Sequence, residues 1–385
     1  MKFHHPLLQL SLVILILSAL IGIGVPDTVS ANLGPTVEYQ FSSQAESSPG
    51  IISAQEEGIV HTASSQYWSS SRMQAAQPYP LPDIDTPSIS GPISTEVTTE
   101  PGYIPGVPPL SSSGARSAES ETILLPASPT NGYQYPPPYT RYENFDSYQV
   151  YPYSTVGVLF FSQRGSDYRC SAAVVGKNAL WTAGHCVHDG SGEPGGWSEN
   201  VVFVPAYKNG VEPFGRWEYV DLVTRWSWFS SADLRYDIGG VILKTNGSGK
   251  PVEEVVGRLG FAFNLDPVQH WFNFGYPSDP PFDGKTMQIC AGSFARIAIG
   301  STAPIPVGMG CDMTGGSSGG PWVINFSGAH GDSNLLNGNN SFRYTVDDED
   351  EIYSPYFGQA ALDLLLYIAQ DSEALFPIII STIGQ

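Results

Sequence analysis

The chain has 385 residues, 41 of them Gly and 32 Pro, and carries a formal net charge of −20 from 17 basic and 37 acidic side chains. Charged residues make up only 14% of it, about half the usual share of roughly a quarter. This argues against a nucleic-acid binder, which needs a basic face, and against a helical bundle, which so much Gly and Pro would interrupt.

In chain order, Lys2 precedes an apolar run over 7–25 and a small-residue site at Val29-Ser30-Ala31. Residues 1–31 therefore read as a secretory signal peptide, with membrane attachment only if that segment stays uncleaved. Residues 32–143 are rich in Ser, Thr, Pro, Gly and Gln, as in Ser69-Ser70-Ser71 and Pro136-Pro137-Pro138. Sparse apolar residues without periodicity predict a disordered pro-segment or spacer, since little surface is available to offset ordering entropy.

From 144 to 385 the composition is that of a β domain. Short aromatic and β-branched runs at 155–162, 171–175, 179–182, 201–207, 219–226, 238–243, 254–263, 270–276, 287–299 and 321–326 predict strands separated by turn residues. One helix is predicted, over 359–370. The expected fold class is all-β, with one large barrel or two small ones.

All four cysteines, Cys170, Cys186, Cys290 and Cys311, fall in this part. An even count in an exported chain reads as disulfides, and the pairs Cys170–Cys186 and Cys290–Cys311 each close a short loop. A zinc site lacks the CxxC spacing, so no metal is expected.

Three stretches carry chemistry. In Trp181-Thr182-Ala183-Gly184-His185-Cys186 an apolar run ends on a histidine next to a cysteine that can pin the turn. In Tyr236-Asp237-Ile238-Gly239-Gly240 an acid stands at the mouth of an apolar run, where a buried carboxylate needs donors such as an imidazole N–H. In Gly315-Gly316-Ser317-Ser318-Gly319-Gly320-Pro321 small residues around a serine let the backbone aim N–H groups at one point, as an oxyanion hole requires. Alone, each also reads blandly: a structural histidine, a turn aspartate, a flexible linker.

Together, and in this order, TAGHC, DIGG and GSSGGP resemble the trypsin/chymotrypsin clan of serine peptidases, and within it the bacterial secreted branch that includes the glutamyl endopeptidases. The resemblance covers about 145–385. It implies two six-stranded antiparallel barrels, about 150–248 and 250–385, with a C-terminal helix. It also implies a secreted serine endopeptidase with Ser318 as nucleophile, His185 as general base, Asp237 orienting the imidazole, and the N–H groups of Gly316 and Ser318 as oxyanion hole. Ser317 stands where the animal enzymes carry the aspartate that receives a new N-terminal amine, so that activation switch is expected to be missing.

For specificity, the resemblance points to Asp312, six residues before the serine, and to Met313, with Arg343 on a later strand. The protein is expected to act on proteins or peptides as a monomer, without cofactor or nucleic acid. The run Asp347-Asp348-Glu349-Asp350-Glu351 reads as a solvated acidic loop. Asn246, Asn325 and Asn339 begin glycosylation sequons, and His188 and His270 lack a partner motif. An inactive binding homologue and a surface-tethered protein on a Ser/Pro stalk are the rival readings.

Overall fold

The computed structural model describes residues 50–59, 64–84, 100–110, 138–142, 146–298, 303–327, 333–344 and 350–370. The expected signal peptide and Asp347, Asp348 and Glu349 of the acidic run lie outside them.

Six strands form the first unit: β1 (Val156–Gln163), β2 (Ser166–Gly176), β3 (Ala179–Thr182), β4 (Glu199–Pro205), β5 (Trp217–Arg225) and β6 (Gly239–Leu243). Each pairs antiparallel with its neighbours in the circuit β1-β2-β3-β6-β5-β4, and β4 returns to β1, so the sheet closes. Alternation decides which side chains fill it. On β1, Leu159 and Phe161 join the interior with Val174, Leu180, Phe203, Trp217, Leu222 and Val241. Val158 and Phe160 face the other way, into a second cluster with Trp181, Val204, Phe261, Phe274, Val323 and Leu365. Both faces of β1 are therefore buried, which explains its nearly continuous apolar sequence.

The second sheet contains β7 (Gly260–Phe263), β8 (His270–Gly275), β9 (Gln288–Ile297), β10 (Val307–Gly310), β11 (Pro321–Ile324), β12 (Leu335–Asn339) and β13 (Glu351–Ser354). Their order is β13-β10-β9-β8-β11-β12-β7. Its core holds Ala262, Trp271, Met309, Trp322, Ile324, Leu335 and Ile352. The C-terminal helix, Gln359–Ile368, buries Leu362, Leu364, Leu365 and Ile368. The architecture is that of a chymotrypsin-like fold, mostly β with few helices.

Several local readings need correction. The run 254–263 is not one strand: a short helix, Val252–Val256, follows Pro251, with Glu253 and Glu254 in its first turn where the helix dipole favours acids. It stops at Gly257, whose φ of 80° suits glycine. The Asn-rich stretch before 340, where no strand is predicted, holds β12. Its asparagines serve buried tryptophans: Trp271 Nε1 donates to Asn337 Oδ1 and Trp181 Nε1 to Asn339 Oδ1. Trp322 Nε1 likewise donates to Asn340 Oδ1. Asn339 is fully buried and cannot carry a glycan in this fold.

The largest departure concerns 32–143. Its described stretches are built into the sheets. Ile51–Ser53 pairs antiparallel with β5, Gly102–Ile104 with β7, and Tyr139–Tyr142 with β9. Gln77–Pro78 lies parallel along β2. This segment needs no core of its own. Each short strand satisfies its backbone on an existing sheet, and single side chains of the strands and of the segments between them, Ile51, Trp68, Met73, Leu81 and Ile104, sink among their neighbours. Each such burial is worth roughly 1.5–3 kcal/mol, without any periodicity to reveal it.

Candidate active site

His185 lies in a single 3-10 turn, Gly184–Cys186, directly after β3. Cys186 is bonded to Cys170 on β2, closing a 16-residue separation and fixing the turn against the barrel. Asp237 precedes β6, and the register Gly239↔Thr182 brings it beside His185. A Cβ on Gly184 would stand 2.9 Å from Asp237 Oδ1, so glycine is what allows the approach. Asp237 Oδ1 accepts the His185 backbone N–H at 2.8 Å. Its Oδ2 accepts His185 Nδ1–H at 2.8 Å and the Ser341 hydroxyl at 2.5 Å. The carboxylate is fully buried, and these three donors compensate its lost hydration. With Nδ1 donating, Nε2 is the nitrogen left to accept.

Ser318 sits in the loop between β10 and β11. Gly316 (φ 89°) and Gly319 (φ 77°) make the bend. A Cβ on Gly319 would lie 2.1 Å from Thr182 Oγ1. Ser171, next to Cys170, clamps this loop: its N–H donates to Ser318 O at 2.8 Å and its hydroxyl to Gly316 O at 3.0 Å. Ser318 is thereby tied to the strand that the disulfide ties to the His185 turn. His185 Nε2 and Ser318 Oγ are both buried without a hydrogen-bond partner.

No family model matches the chain. Among solved structures, it is similar to a thermostable serine protease, AL20, from an extremophilic microorganism, at 35% identity and a TM-score of 0.51 over 56% of this chain and 97% of that one. It is also similar to the protease Anisep of Arthrobacter nicotinovorans, at 33% identity and a TM-score of 0.50 over 56% of this chain and 96% of that one. The chain belongs to the chymotrypsin-like serine proteases. A curated relative, the extracellular metalloprotease of Bacillus subtilis, is 30% identical over 88 residues, 23% of this chain. The match spans about a quarter of that relative's length, 26%.

The donor sets of this serine protease give no support to the metal in that relative's name. Among the described residues, the two clusters of potential ligand atoms are Cys170, His185 and Cys186, and Cys290, Cys311 and Asp312. Both contain cysteines joined in disulfides, Cys170–Cys186 and Cys290–Cys311, whereas a metal takes thiolates.

The three specificity candidates are all engaged. Asp312 Oδ2 accepts from Arg141 Nη1 at 2.6 Å, a residue of the strand Tyr139–Tyr142. Arg343 donates to Cys311 O at 3.0 Å and Glu351 O at 3.1 Å. Met313 is buried, its sulfur 3.9 Å from Asn340 Nδ2. Ser317 turns its hydroxyl onto Thr314 O at 2.8 Å, inside the loop.

His188 is structural: Nε2 meets Glu193 O at 2.9 Å, Nδ1 accepts from Gly190 N–H at 3.0 Å, and the ring packs against Trp197 and Phe229. Burial pushes its pKa down from 6.5. His270 is exposed and meets Ser293 Oγ.

The sequence reading missed Ser341 and Ser171, neither of which belongs to a recognisable motif. It also missed Tyr79. The Tyr79 ring stacks on His185 at a centroid distance of 5.2 Å, and the Tyr79 carbonyl accepts the Gly316 N–H at 2.9 Å.

Proposed function

We propose that the chain is a secreted serine endopeptidase that works through an acyl-enzyme. Ser318 Oγ attacks the scissile carbonyl carbon while His185 Nε2 takes its proton. The Gly316 and Ser318 N–H groups stabilise the developing oxyanion. His185 returns the proton to the departing amine, and water then releases the acyl group by the same route. Asp237 keeps the imidazole in the accepting tautomer and stabilises its cation. The observation that carries this reading is the doubly bonded His185–Asp237 pair, with His185 Nε2 and Ser318 Oγ left unpaired. Two disulfides support an oxidising, extracellular setting.

The test is Ser318→Ala, assayed on a mixed fluorogenic peptide library. Turnover should fall by about a millionfold with the fold intact, leaving what binding and the oxyanion hole supply. Near-normal turnover would refute the assignment.

A further inference from the structure

The stretch 64–84 crosses the first barrel and enters the site. It is anchored upstream. Trp68 is buried, packs on Phe160 at 5.6 Å and donates from Nε1 to Asn200 O at 2.5 Å. The short helix Ser70–Ala75 is capped by Ser69 and buries Met73. Its carbonyl end meets Arg169, a buried guanidinium on β2 that donates to Met73 O, Gln74 O and Ala76 O at 2.9, 3.1 and 3.0 Å. Arg72 pairs with Asp167 at 2.5 Å.

Beyond this anchor the chain reads Gln77-Pro78-Tyr79-Pro80-Leu81-Pro82-Asp83-Ile84. Tyr79 N–H donates to Arg169 O at 3.0 Å and Tyr79 Oη to Gln163 Oε1 at 2.6 Å. Leu81 is buried in the apolar cluster that contains Met313. Pro82 O accepts the Arg343 N–H at 3.0 Å, and Asp83–Ile84 runs parallel to Arg343–Tyr344. The segment thus touches β2, His185, the Gly316 N–H and Arg343 in succession.

We infer that residues 64–84 are a built-in inhibitor that holds the Tyr79 carbonyl on the Gly316 N–H and the Tyr79 ring over His185. This rests on the peptidase reading above. A substrate carbonyl needs the same N–H, so the two exclude each other. Ser318 and His185 are 0% and 2% exposed with the segment in place. Prolines at 78, 80 and 82 restrict φ in the free chain, so little conformational entropy is lost on seating it. The bond after the seated carbonyl is Tyr79–Pro80, a tertiary amide. Its nitrogen carries no hydrogen and is flanked by ring carbons, which hinders proton delivery to it as a leaving group. The segment is therefore suited to occupy the site without being consumed.

The test uses the full chain and two variants, Tyr79→Gly alone and Pro78→Gly/Tyr79→Gly/Leu81→Gly together. The readout is the rate of Ser318 labelling by a fluorophosphonate, with Ser318→Ala as blank and circular dichroism as the check of fold. Labelling slows in proportion to the open fraction, so both variants should label about tenfold faster or more than the unaltered chain. A synthetic peptide of residues 77–84 should slow labelling of the triple variant again. Equal, rapid labelling of variants and unaltered chain would overturn the inhibitor and leave the peptidase reading standing. No labelling of any folded form would overturn the peptidase reading, and the inhibitor with it. The Tyr79→Gly chain, which alters one half-buried ring, keeps the comparison available if the triple variant does not fold.

Discussion

Replacing Asp237 by Asn tests how the histidine is held. The Asp237 Oδ1 position accepts a backbone N–H, from His185, which cannot reverse its role. An amide placed there must put its carbonyl oxygen at that position and its NH₂ group where Oδ2 was. That NH₂ then faces His185 Nδ1, 2.8 Å away in the native pair, and Ser341 Oγ. The hydroxyl can rotate and accept. The imidazole must also accept at Nδ1, which moves its proton to Nε2 and removes the lone pair that would take the proton of Ser318. The fold keeps its hydrogen bonds and loses its general base. The expected fall in kcat/KM is about 10⁴-fold, as for other triads so altered, or about 5.4 kcal/mol of transition-state stabilisation. The assay compares Asp237→Asn with its parent in the Pro78→Gly/Tyr79→Gly/Leu81→Gly background, by peptide hydrolysis and fluorophosphonate labelling, with urea unfolding as control. A fall of less than about tenfold in a stably folded variant would show that Asp237 does not set the tautomer.

Ser341→Ala deletes one of three donors to a fully buried carboxylate. Urea unfolding should show a loss of about 1.5–3 kcal/mol, and an unchanged midpoint would mean that the bond carries no weight. His188 gives a pH signature. Burial holds its folded pKa below the unfolded value of 6.5, so the unfolded chain binds the proton first. Its stabilising contribution is full above 6.5 and is lost as pH falls below that value toward the depressed one. The neighbouring Asp189 does not change charge between pH 7.5 and 5.5: burial raises its pKa, but hydrogen bonds from Ser191 and Arg164 outweigh that and hold it below 3.8. The urea midpoint should drop between pH 7.5 and 5.5, and less so in His188→Asn; equal drops would refute the assignment of the slope to this ring.

The candidate site was legible because its three motifs each fix a backbone shape as well as a side chain. Gly184, Gly316 and Gly319 mark close approaches that a Cβ would block, and the cysteine beside His185 marks a pinned turn. The strands were legible where aromatic and β-branched residues cluster, as in β1. They were not legible at β10 (Val-Gly-Met-Gly) or β12 (Leu-Leu-Asn-Gly-Asn), whose composition reads as loop. There the neighbours decide: β10 is held between β9 and β13, and the β12 asparagines answer to tryptophan indoles on other strands. Tyr79 was illegible for a related reason. A Pro-Tyr-Pro-Leu-Pro run has no period and no core, and its conformation is set by the surface that receives it.

That surface also distinguishes the two ends of the inhibitor. Upstream, the segment gives three carbonyls to Arg169, adds the Arg72–Asp167 pair and buries Trp68 and Met73. Arg216 Nη1 also donates to Trp68 O at 2.7 Å. Downstream it has the Pro82–Arg343 bond and a two-residue parallel pairing. The guanidinium of Arg169 makes the upstream anchor costly to lose, because a buried cation deprived of these acceptors keeps its desolvation penalty. Of the bonds named, opening that begins at the Arg343 end gives up the fewest. It would lift Leu81 and then Tyr79 away from the site while Trp68 and the short helix stay in place. The anchor therefore keeps the inhibitor at high local concentration over His185 even when it is open, so a brief opening does not by itself commit the chain to activity.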